Sequence, residues 1–156
     1  MQEYVVKACS ITDLDDKDRA VCVAIIKSGE AVDSESVEVE LPLANAVAIA
    51  RINDQIVGVG VIKRPRTGYA FDKALRSGEA FAPDTQELGY IIVAPDHRGK
   101  GLSNLIVEAL LLKNGGPLFA MTTNSRLKKT LAKSGFTQKG GEWKGQMGQI
   151  SLWIRE

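Results

Sequence analysis

Apolar and polar positions along the chain change their spacing from one stretch to the next, and each spacing predicts a different element. Residues 88–93 are a short apolar run rich in β-branched residues, which predicts a buried strand. Pro95 follows and has no N–H to donate, so the strand should end before it. Over residues 102–112 the apolar positions recur at offsets of three and four, which predicts a helix beginning near Gly101. The segment 114–117, Asn-Gly-Gly-Pro, should end that helix.

The rest of the chain predicts further short strands and helices. Asn53-Asp54 joins two apolar runs and predicts a β-hairpin. Residues 32–43 alternate apolar residues with glutamate, which predicts an edge strand or an extended loop. Gly29 should end the first helix, and Gly140-Gly141 should turn the chain. The predicted strands are 4–8, 46–52, 55–62, 118–122, a strand beginning at 136–139, and 150–154; the predicted helices follow the cap residues 11–16 and cover 71–76 and 125–133. Together they predict a mixed α/β sheet with helices on both faces, in one domain spanning residues 1–156.

Composition narrows the class of protein. The chain has 156 residues, 44% hydrophobic and 25% charged, as in an ordinary soluble domain large enough to bury a core. A net charge of +1 gives no global attraction to nucleic acid or to an anionic membrane. Near Gln2 and Glu3 there is no basic leader pattern, and no run approaches the ~18 apolar residues of a membrane span, so we expect a cytoplasmic protein. Cys9 and Cys22 should be buried free thiols, with neither a disulfide framework nor a metal site.

The segment between the strand at 88–93 and the following helix is the best candidate for chemistry. This order places unpaired backbone N–H groups and a positive helix end beside the carboxyl end of a strand, which suits a pyrophosphate. Gly99 and Gly101 allow a ligand to approach the backbone, and Arg98 and Lys100 add positive charge. A solvated turn before an ordinary core helix is the alternative interpretation.

Two nucleotide-binding motifs are excluded at this loop. A Walker loop requires Ser or Thr after its lysine, and Lys100 is followed by Gly101. A dinucleotide fingerprint requires a third glycine, and Asn104 stands in its place. The loop therefore predicts a phosphate cradle of another kind.

The stretch Arg98-Gly99-Lys100-Gly101-Leu102-Ser103 resembles the acyl-coenzyme-A pyrophosphate loop of the GCN5-related N-acetyltransferases, the GNAT family, whose pattern is Arg/Gln-x-x-Gly-x-Gly/Ala. Ser103 departs from the last position of the pattern, although serine is small. Residues 124–136, which begin with Asn and end in Gly-Phe, resemble a later helix of the same family. The resemblance covers residues 45–156 well and the first forty only loosely.

The resemblance implies a mixed, largely antiparallel central sheet flanked by helices on both faces. It also implies that the protein uses acetyl-CoA as the acyl donor. It implies that Glu87 takes the proton of the acceptor amine, directly or through water; a solvated charge at the start of the strand is the alternative interpretation. It also implies that the Val93 N–H stabilises the oxyanion. The coenzyme site that it implies consists of Ile91, Ile92, Val93, Arg98, Gly99, Lys100, Gly101, Leu102, Ser103, Asn104 and Asn124.

Some residues do not fit this pattern, or fit it in two ways. The family's usual tyrosine acid corresponds to Leu131, which has no proton to give. His97 is the single histidine, and we expect it to serve local packing or solvent contact rather than catalysis. Lys128, Lys129 and Lys133 either meet the coenzyme 3′-phosphate or lie on a solvated helix face.

The acceptor is the least determined part. Residues 67–86 form a long connection between strands, and long connections are often functional. Tyr69, Phe71 and Phe81 are candidates to wall an acceptor pocket, and Arg64, Arg66 and Arg76 to contact an acidic acceptor; a packed surface loop is the alternative.

The predicted function is therefore direct acetyl transfer to a primary amine in a ternary complex, because no cysteine lies at the strand end to form an acyl-enzyme. The alternative is a non-catalytic acyl-CoA-binding or interaction module that retains the fold. A homodimer is also expected.

Overall fold

The computed structural model describes residues 3–29, 34–65, 68–145 and 147–156, and the elements follow the sequence pattern closely. Short 3₁₀ turns cover Ile11–Asp13, Leu41–Leu43 and Pro95–His97. The strands and helices are β1 Val5–Cys9, α1 Asp16–Lys27, α2 Ser34–Glu40, β2 Ala46–Ile52, β3 Gln55–Lys63, α3 Tyr69–Ser77, β4 Gln86–Val93, α4 Leu102–Lys113, β5 Leu118–Thr122, α5 Ser125–Lys133, β6 Thr137–Gly145 and β7 Gly148–Arg155.

Seven strands form a mixed, mostly antiparallel sheet, which confirms the predicted fold class. The chain divides into two compact units, Met1–Lys63 with Gly89–Gly115, and Arg64–Leu88 with Gly116–Glu156. The first unit carries strands in the order β1-β2-β3-β4, and the second in the order β4-β5-β7-β6. Strand β4 contributes to both, because the division falls between Leu88 and Gly89.

The predicted hairpin is the centre of the first unit. Asn53 and Asp54 have φ values of 51° and 66°, the left-handed backbone of a two-residue turn whose twist matches its strands. One face of the hairpin is buried under α1. That face brings together Cys22, Ile26, Val47, Ile49, Val59 and Val61.

Helix α4 packs on the other face of the same hairpin. Gly58 and Gly60 alternate with the valines of β3, so they lie on the opposite face. A Cβ at Gly58 would be 3.2 Å from Ile106, and one at Gly60 would overlap Ile106 and stand 3.2 Å from Leu110. The two glycines therefore let α4 approach closely, and the first unit has helices on both faces.

In the second unit, β5 runs parallel to the start of β4 and antiparallel to β7, and β6 pairs antiparallel with β7. Helix α5 begins at the cap residue Asn124 and buries Leu131. Helix α3 lies between Gly68 and Gly78, both with left-handed φ. Its carbonyl oxygen at Ser77 comes so close to Gly140 of β6 that a Cβ at Gly140 would overlap it.

Two expectations from the pattern are wrong. The predicted strand or loop at residues 32–43 is a helix, α2, followed by a 3₁₀ turn, with residues 32 and 33 outside the described chain. Val37 and Leu41 lie four residues apart and are both buried, which is a helical spacing that the glutamate alternation concealed.

The expected turn at Gly140-Gly141 is also wrong. Both glycines belong to β6, which continues past a register shift between Lys139 and Trp143. The hairpin closes later, at the Gly145–Gly148 pair. Among the described residues, every helix is too short or too polar to cross a bilayer.

Candidate active site

Strand β4 is distorted at Tyr90, at the start of the part of the strand that belongs to the first unit. Tyr90 has a φ of 51°, a left-handed conformation that is a genuine outlier for a bulky residue. The Nζ atom of Lys63 lies 3.9 Å from the centre of the Tyr90 ring and covers it. Strain of this kind costs about 1–3 kcal/mol and concentrates at functional sites. The last residues of β4 are therefore re-aimed immediately before the predicted coenzyme strand, Ile91 to Val93.

Backbone hydrogen bonding gives the direction of the Val93 N–H. The N–H of Ala94 donates to the carbonyl oxygen of Val57 in β3 at 2.8 Å. Successive N–H groups of an extended strand point to opposite edges, so those of Ile91 and Val93 point away from β3. The edge of β4 at Val93 thus presents backbone donors, as the oxyanion assignment requires.

The loop after β4 has the geometry of an anion cradle. Gly99 and Gly101 have φ values of 77° and 78°, and apart from their chain neighbours no group of the described residues lies within 4 Å of where their Cβ atoms would stand. The first α4 bond runs from the Leu105 N–H to the Gly101 carbonyl oxygen at 3.3 Å. Within the described chain, the N–H groups of residues 99–104 have no backbone acceptor. Such donors at a helix N-terminus suit phosphate oxygens.

Side chains of the loop tie it to the strand. The Nε atom of Arg98 donates to the Val93 carbonyl oxygen at 3.0 Å, so this arginine links the two ends of the turn. Lys100 is exposed, and Leu102 is buried in the core, which leaves its backbone as the part available to a ligand. His97 pairs with Tyr4, whose hydroxyl lies 2.8 Å from Nδ1, with ring planes at 87°. The predicted packing role of His97 agrees with this contact.

The second unit holds Glu87 in a recess. The Glu87 side chain is buried, with 7% of its surface exposed, although it is a carboxylate in a strand. Thr85, two residues earlier, is 8% exposed and lines the same recess. Glu87 is the register partner of Phe119 in β5, so the two side chains share a face of the sheet. The recess holds about 220 Å³ of empty space, counting the part open to solvent.

Helix α3 forms another wall of this recess. The residues that line the recess are Arg64, Pro65, Tyr69, Ala70, Pro83, Thr85, Glu87 and Phe119. Tyr69 and Phe81 both stack on Phe119, with ring centres 6.1 and 4.6 Å apart.

The other expected acceptor contacts do not lie there. Phe71 is not among the lining residues of the recess, and its side chain is 71% exposed. Arg76 pairs with Asp72 of the same helix at 3.2 Å. Arg66 lies outside the described residues.

Asn124 lies at the N-terminus of helix α5, whereas Leu131 lies on its buried side. The Oδ1 atom of Asn124 accepts hydrogen bonds from the N–H groups of Arg126 and Leu127, so this side chain caps α5. Leu131 is fully buried and lies inside the core rather than at a surface. Lys128 pairs with Glu142 at 3.1 Å, which favours the solvated-face interpretation of that lysine.

The two thiols are poor nucleophiles. Burial raises the pKa of Cys9 and raises the pKa of Cys22 to about 11, so both stay protonated near neutral pH. Cys22 is buried as expected, whereas Cys9 is only half-buried. Within the described residues, no three His, Cys, Asp or Glu side chains are grouped so as to hold a metal ion.

Comparison with known proteins decides the family. The model of the Acetyltransferase (GNAT) family matches residues 19–132. The chain belongs to the GNAT acetyltransferase family. A search of curated proteins gives no match.

Solved structures agree with this GNAT assignment at the level of the fold. An acyl-CoA N-acyltransferase from Pseudomonas aeruginosa is 12% identical with a TM-score of 0.73, and the match covers 99% of this chain and 100% of that one. ElaA from Escherichia coli is 13% identical with a TM-score of 0.72, covering 100% of each chain. The yncA protein of Salmonella typhimurium, solved with its cofactor acetyl-CoA, is 17% identical with a TM-score of 0.63, covering 99% and 94%.

The sequence-predicted site residues thus fall into two sets. The first unit of this GNAT chain brings together Ile91 to Val93 and Arg98 to Asn104, and the second unit holds Glu87 and Asn124. Sequence reasoning missed Tyr90, Thr85 and Phe119. Thr85 carried a usable signal, because it precedes Glu87 by two residues and so shares its side of an extended chain. Tyr90 carried none, since tyrosine is ordinary in a strand.

Proposed function

We propose that this GNAT chain transfers an acetyl group from acetyl-CoA to a primary amine, directly and in a ternary complex. The observation that carries the proposal is the row of backbone N–H groups from Gly99 to Asn104, which lack backbone acceptors within the described residues and open helix α4. Membership of an acetyltransferase family supports the same reaction class.

The residues present fit the coenzyme. Open space around Gly99 and Gly101 gives a pyrophosphate room to reach the amides, and Lys100 adds a positive charge at the rim. We assign the backbone of Ile91 to Val93 to the pantetheine arm, and the amide nitrogen of Asn124 to a further contact with it. When bound, the coenzyme supplies a thioester whose acyl carbon is activated toward nitrogen.

We assign two catalytic tasks to strand β4. Glu87 accepts the proton of the acceptor ammonium, directly or through water, because an amine attacks only when neutral. The Val93 N–H donates to the carbonyl oxygen of the thioester as negative charge develops on it. Leu131 is buried and has no acidic proton, so the leaving thiolate takes a proton from water or from another residue, or leaves without an acid. The protonated thiols of Cys9 and Cys22 favour direct transfer over an acyl-enzyme.

Thiol release from acetyl-CoA in the presence of pooled primary amines tests the reaction. We expect release that depends on the amine, and a Glu87→Gln variant should lower kcat by about 10²-fold or more while retaining coenzyme affinity. The matched control is Glu108→Gln, which removes an exposed carboxylate from α4 and should leave kcat unchanged. Absence of thiol release across broad pools at saturating acetyl-CoA would contradict the proposal.

The burial of Leu131 at the family's tyrosine position favours a second candidate, a non-catalytic acyl-CoA-binding module. Such a module would bind coenzyme A in calorimetry, show no amine-dependent release, and keep the same affinity in the Glu87→Gln variant. A cytoplasmic location and a homodimer remain predictions of the sequence, and light scattering on the purified protein tests the second.

A further inference from the structure

We propose that Tyr4 is a positioning residue for the coenzyme. Through His97 it anchors the loop at residues 98–104 to strand β1 and thereby raises the affinity for acyl-CoA. This inference rests on the proposed function, because it takes that loop as the pyrophosphate site, and it names a residue outside the loop on which the site depends. Tyr4, His97 and the loop all belong to the first unit.

Tyr4 and His97 contact each other in two ways. The Tyr4 hydroxyl lies 2.8 Å from Nδ1 of His97, an ordinary hydrogen-bond distance, and the two residues are 93 positions apart in sequence. The rings also meet edge to face, with their centres 5.7 Å apart and their planes at 87°. The hydrogen bond orients the imidazole and the ring contact fixes its place, so the His97 side chain is held in one position.

Strand β1 gives this contact a fixed base. Tyr4 directly precedes β1, and all five residues from Val5 to Cys9 pair with β2. Helix α4, which follows the loop, packs against β1 as well as against β2 and β3. The contact therefore ties the start of the loop to the same strands on which the helix after the loop is packed.

The turn Pro95–His97 is held at both of its ends. At its start, the N–H of Ala94 donates to the carbonyl oxygen of Val57 in β3 at 2.8 Å. Its own backbone bonds run from the N–H groups of His97 and Arg98 to carbonyl oxygens three residues earlier, at 2.9 and 3.4 Å. These bonds shape the turn without linking its end to another strand. His97, its last residue, makes that link through its side chain.

The amides that follow depend on where the turn ends. Gly99 and Gly101 have φ values of 77° and 78°, and glycine has more conformational freedom to lose than any other residue. A ligand that must order a mobile loop loses affinity, whereas a loop already held in the bound arrangement avoids this cost. Anchoring His97 should therefore strengthen pyrophosphate binding although Tyr4 does not belong to the loop.

Calorimetry with coenzyme A on the full chain tests this inference. Tyr4→Phe removes the hydroxyl and keeps the ring, so the Kd for coenzyme A should rise about threefold or more, the effect of one neutral hydrogen bond. Tyr4→Ala also removes the ring contact and should raise Kd by about tenfold or more. In the thiol-release assay, both variants should raise KM for acetyl-CoA and leave kcat at saturating acetyl-CoA unchanged.

Substitutions at His97 test whether the two residues act as a pair. His97→Asn keeps a hydrogen-bonding atom near the place of Nδ1 and should retain most of the affinity, whereas His97→Leu should lose it. The double variant Tyr4→Phe with His97→Leu should bind coenzyme A no more weakly than His97→Leu alone, because residues that act through one contact do not have additive effects.

The matched control is Ile26→Val, which separates positioning from a general loss of stability. Ile26 is fully buried between α1 and the hairpin of β2 and β3, so the shorter side chain should lower the melting temperature. It should leave the Kd for coenzyme A unchanged at a temperature where every variant is folded, which thermal melting checks. Tyr4→Phe is the deciding variant should Tyr4→Ala fail to fold.

The outcomes separate this inference from the proposed function. If Tyr4→Phe binds coenzyme A as tightly as the unmodified protein, if Ile26→Val weakens binding equally, or if the effects at Tyr4 and His97 add in full, the inference is overturned and the acyltransferase proposal stands. If the Tyr4 variants weaken binding as expected and no amine reacts, the inference stands and the binding module is favoured. If the unmodified protein does not bind coenzyme A, both proposals fail.

Discussion

The phosphate cradle of the first unit and the recess of the second are built in opposite ways. The cradle is continuous in sequence: its donors lie between residues 99 and 104, directly after β4. The recess collects residues from 64–70, 83–87 and position 119, which meet only after folding. A cradle of backbone N–H groups recognises any pyrophosphate, whereas an assembled set of side chains distinguishes one acceptor from another. On our proposal, the coenzyme is therefore bound by a local motif and the acceptor by residues that tertiary packing brings together.

Glycines make the same contrast within one residue type. At Gly99 and Gly101 the left-handed backbone opens onto empty space, so these glycines leave room for a ligand. At Gly140 the left-handed backbone faces the Ser77 carbonyl oxygen, so that glycine leaves room for helix α3. On our proposal the first two glycines serve binding, whereas Gly140 allows α3, which forms part of the wall of the recess, to approach β6.

Among substitutions that test this contrast, we expect the largest effect at Gly140, on the free energy of unfolding. Gly140→Ala forces a side chain into a left-handed conformation, at about 1–2 kcal/mol, and into overlap with a backbone oxygen that cannot swing aside. The free energy of unfolding should fall by about 2 kcal/mol or more in urea denaturation. Gly141→Ala is the control, because its Cβ would stand 3.8 Å from the same oxygen without a left-handed φ. Equal losses in the two variants would show that α3 does not depend on Gly140.

We expect a smaller effect from a substitution at Gly101 in the loop, and this substitution should change coenzyme affinity rather than the free energy of unfolding. Valine is β-branched and resists the φ of 78° at Gly101, so Gly101→Val should displace the amides and weaken coenzyme binding by about tenfold, or about 1.4 kcal/mol. Gly115→Val is matched to it, since that glycine also faces open space but has no left-handed φ. Calorimetry with coenzyme A measures both. Unchanged affinity in Gly101→Val would place the pyrophosphate outside the loop.

The smallest effect should come from the outer side of α3. Leu75 is 70% exposed, so Leu75→Ala should change the free energy of unfolding by less than about 0.5 kcal/mol and leave acceptor kinetics alone. Ala70 lies on the inner side and lines the recess, so Ala70→Leu should instead raise KM for the acceptor while coenzyme affinity is kept. Steady-state kinetics with the preferred amine compares the two. If Leu75→Ala changed KM and Ala70→Leu did not, the acceptor would bind at the exposed face of α3 and not in the recess.

Local signals in the sequence were sufficient where a few neighbouring residues decide the structure. The Asn53-Asp54 turn, the end of β4 before Pro95 and the bounds of β5 and α5 are all confirmed. Each depends on backbone preferences that a residue carries with it. Residues 34–40 misled the same reasoning, because glutamates alternate with valines there while burial follows the helical spacing of Val37 and Leu41.

Long-range contacts were beyond such signals. Its size and apolar character make Phe71 a candidate for the acceptor pocket, yet in α3 the small residues Ala70 and Ser77 are buried and Phe71 is exposed. Helix α3 also comes close, through the Ser77 carbonyl oxygen, to Gly140, a residue far along the chain. The same limit explains why Gly140-Gly141 was taken for a turn.

The amino-acid sequence by itself determined the family, the glycine loop that opens α4 and most element bounds, because glycine, proline and apolar spacing act within one or two turns of chain. Only the tertiary structure decided that Glu87 shares a recess with Thr85 and Phe119, that Leu131 is buried, and that Tyr90 adopts a left-handed backbone. The physical reason is that burial and backbone strain at a position depend on contacts with residues distant in sequence, and the neighbouring residues do not specify those contacts.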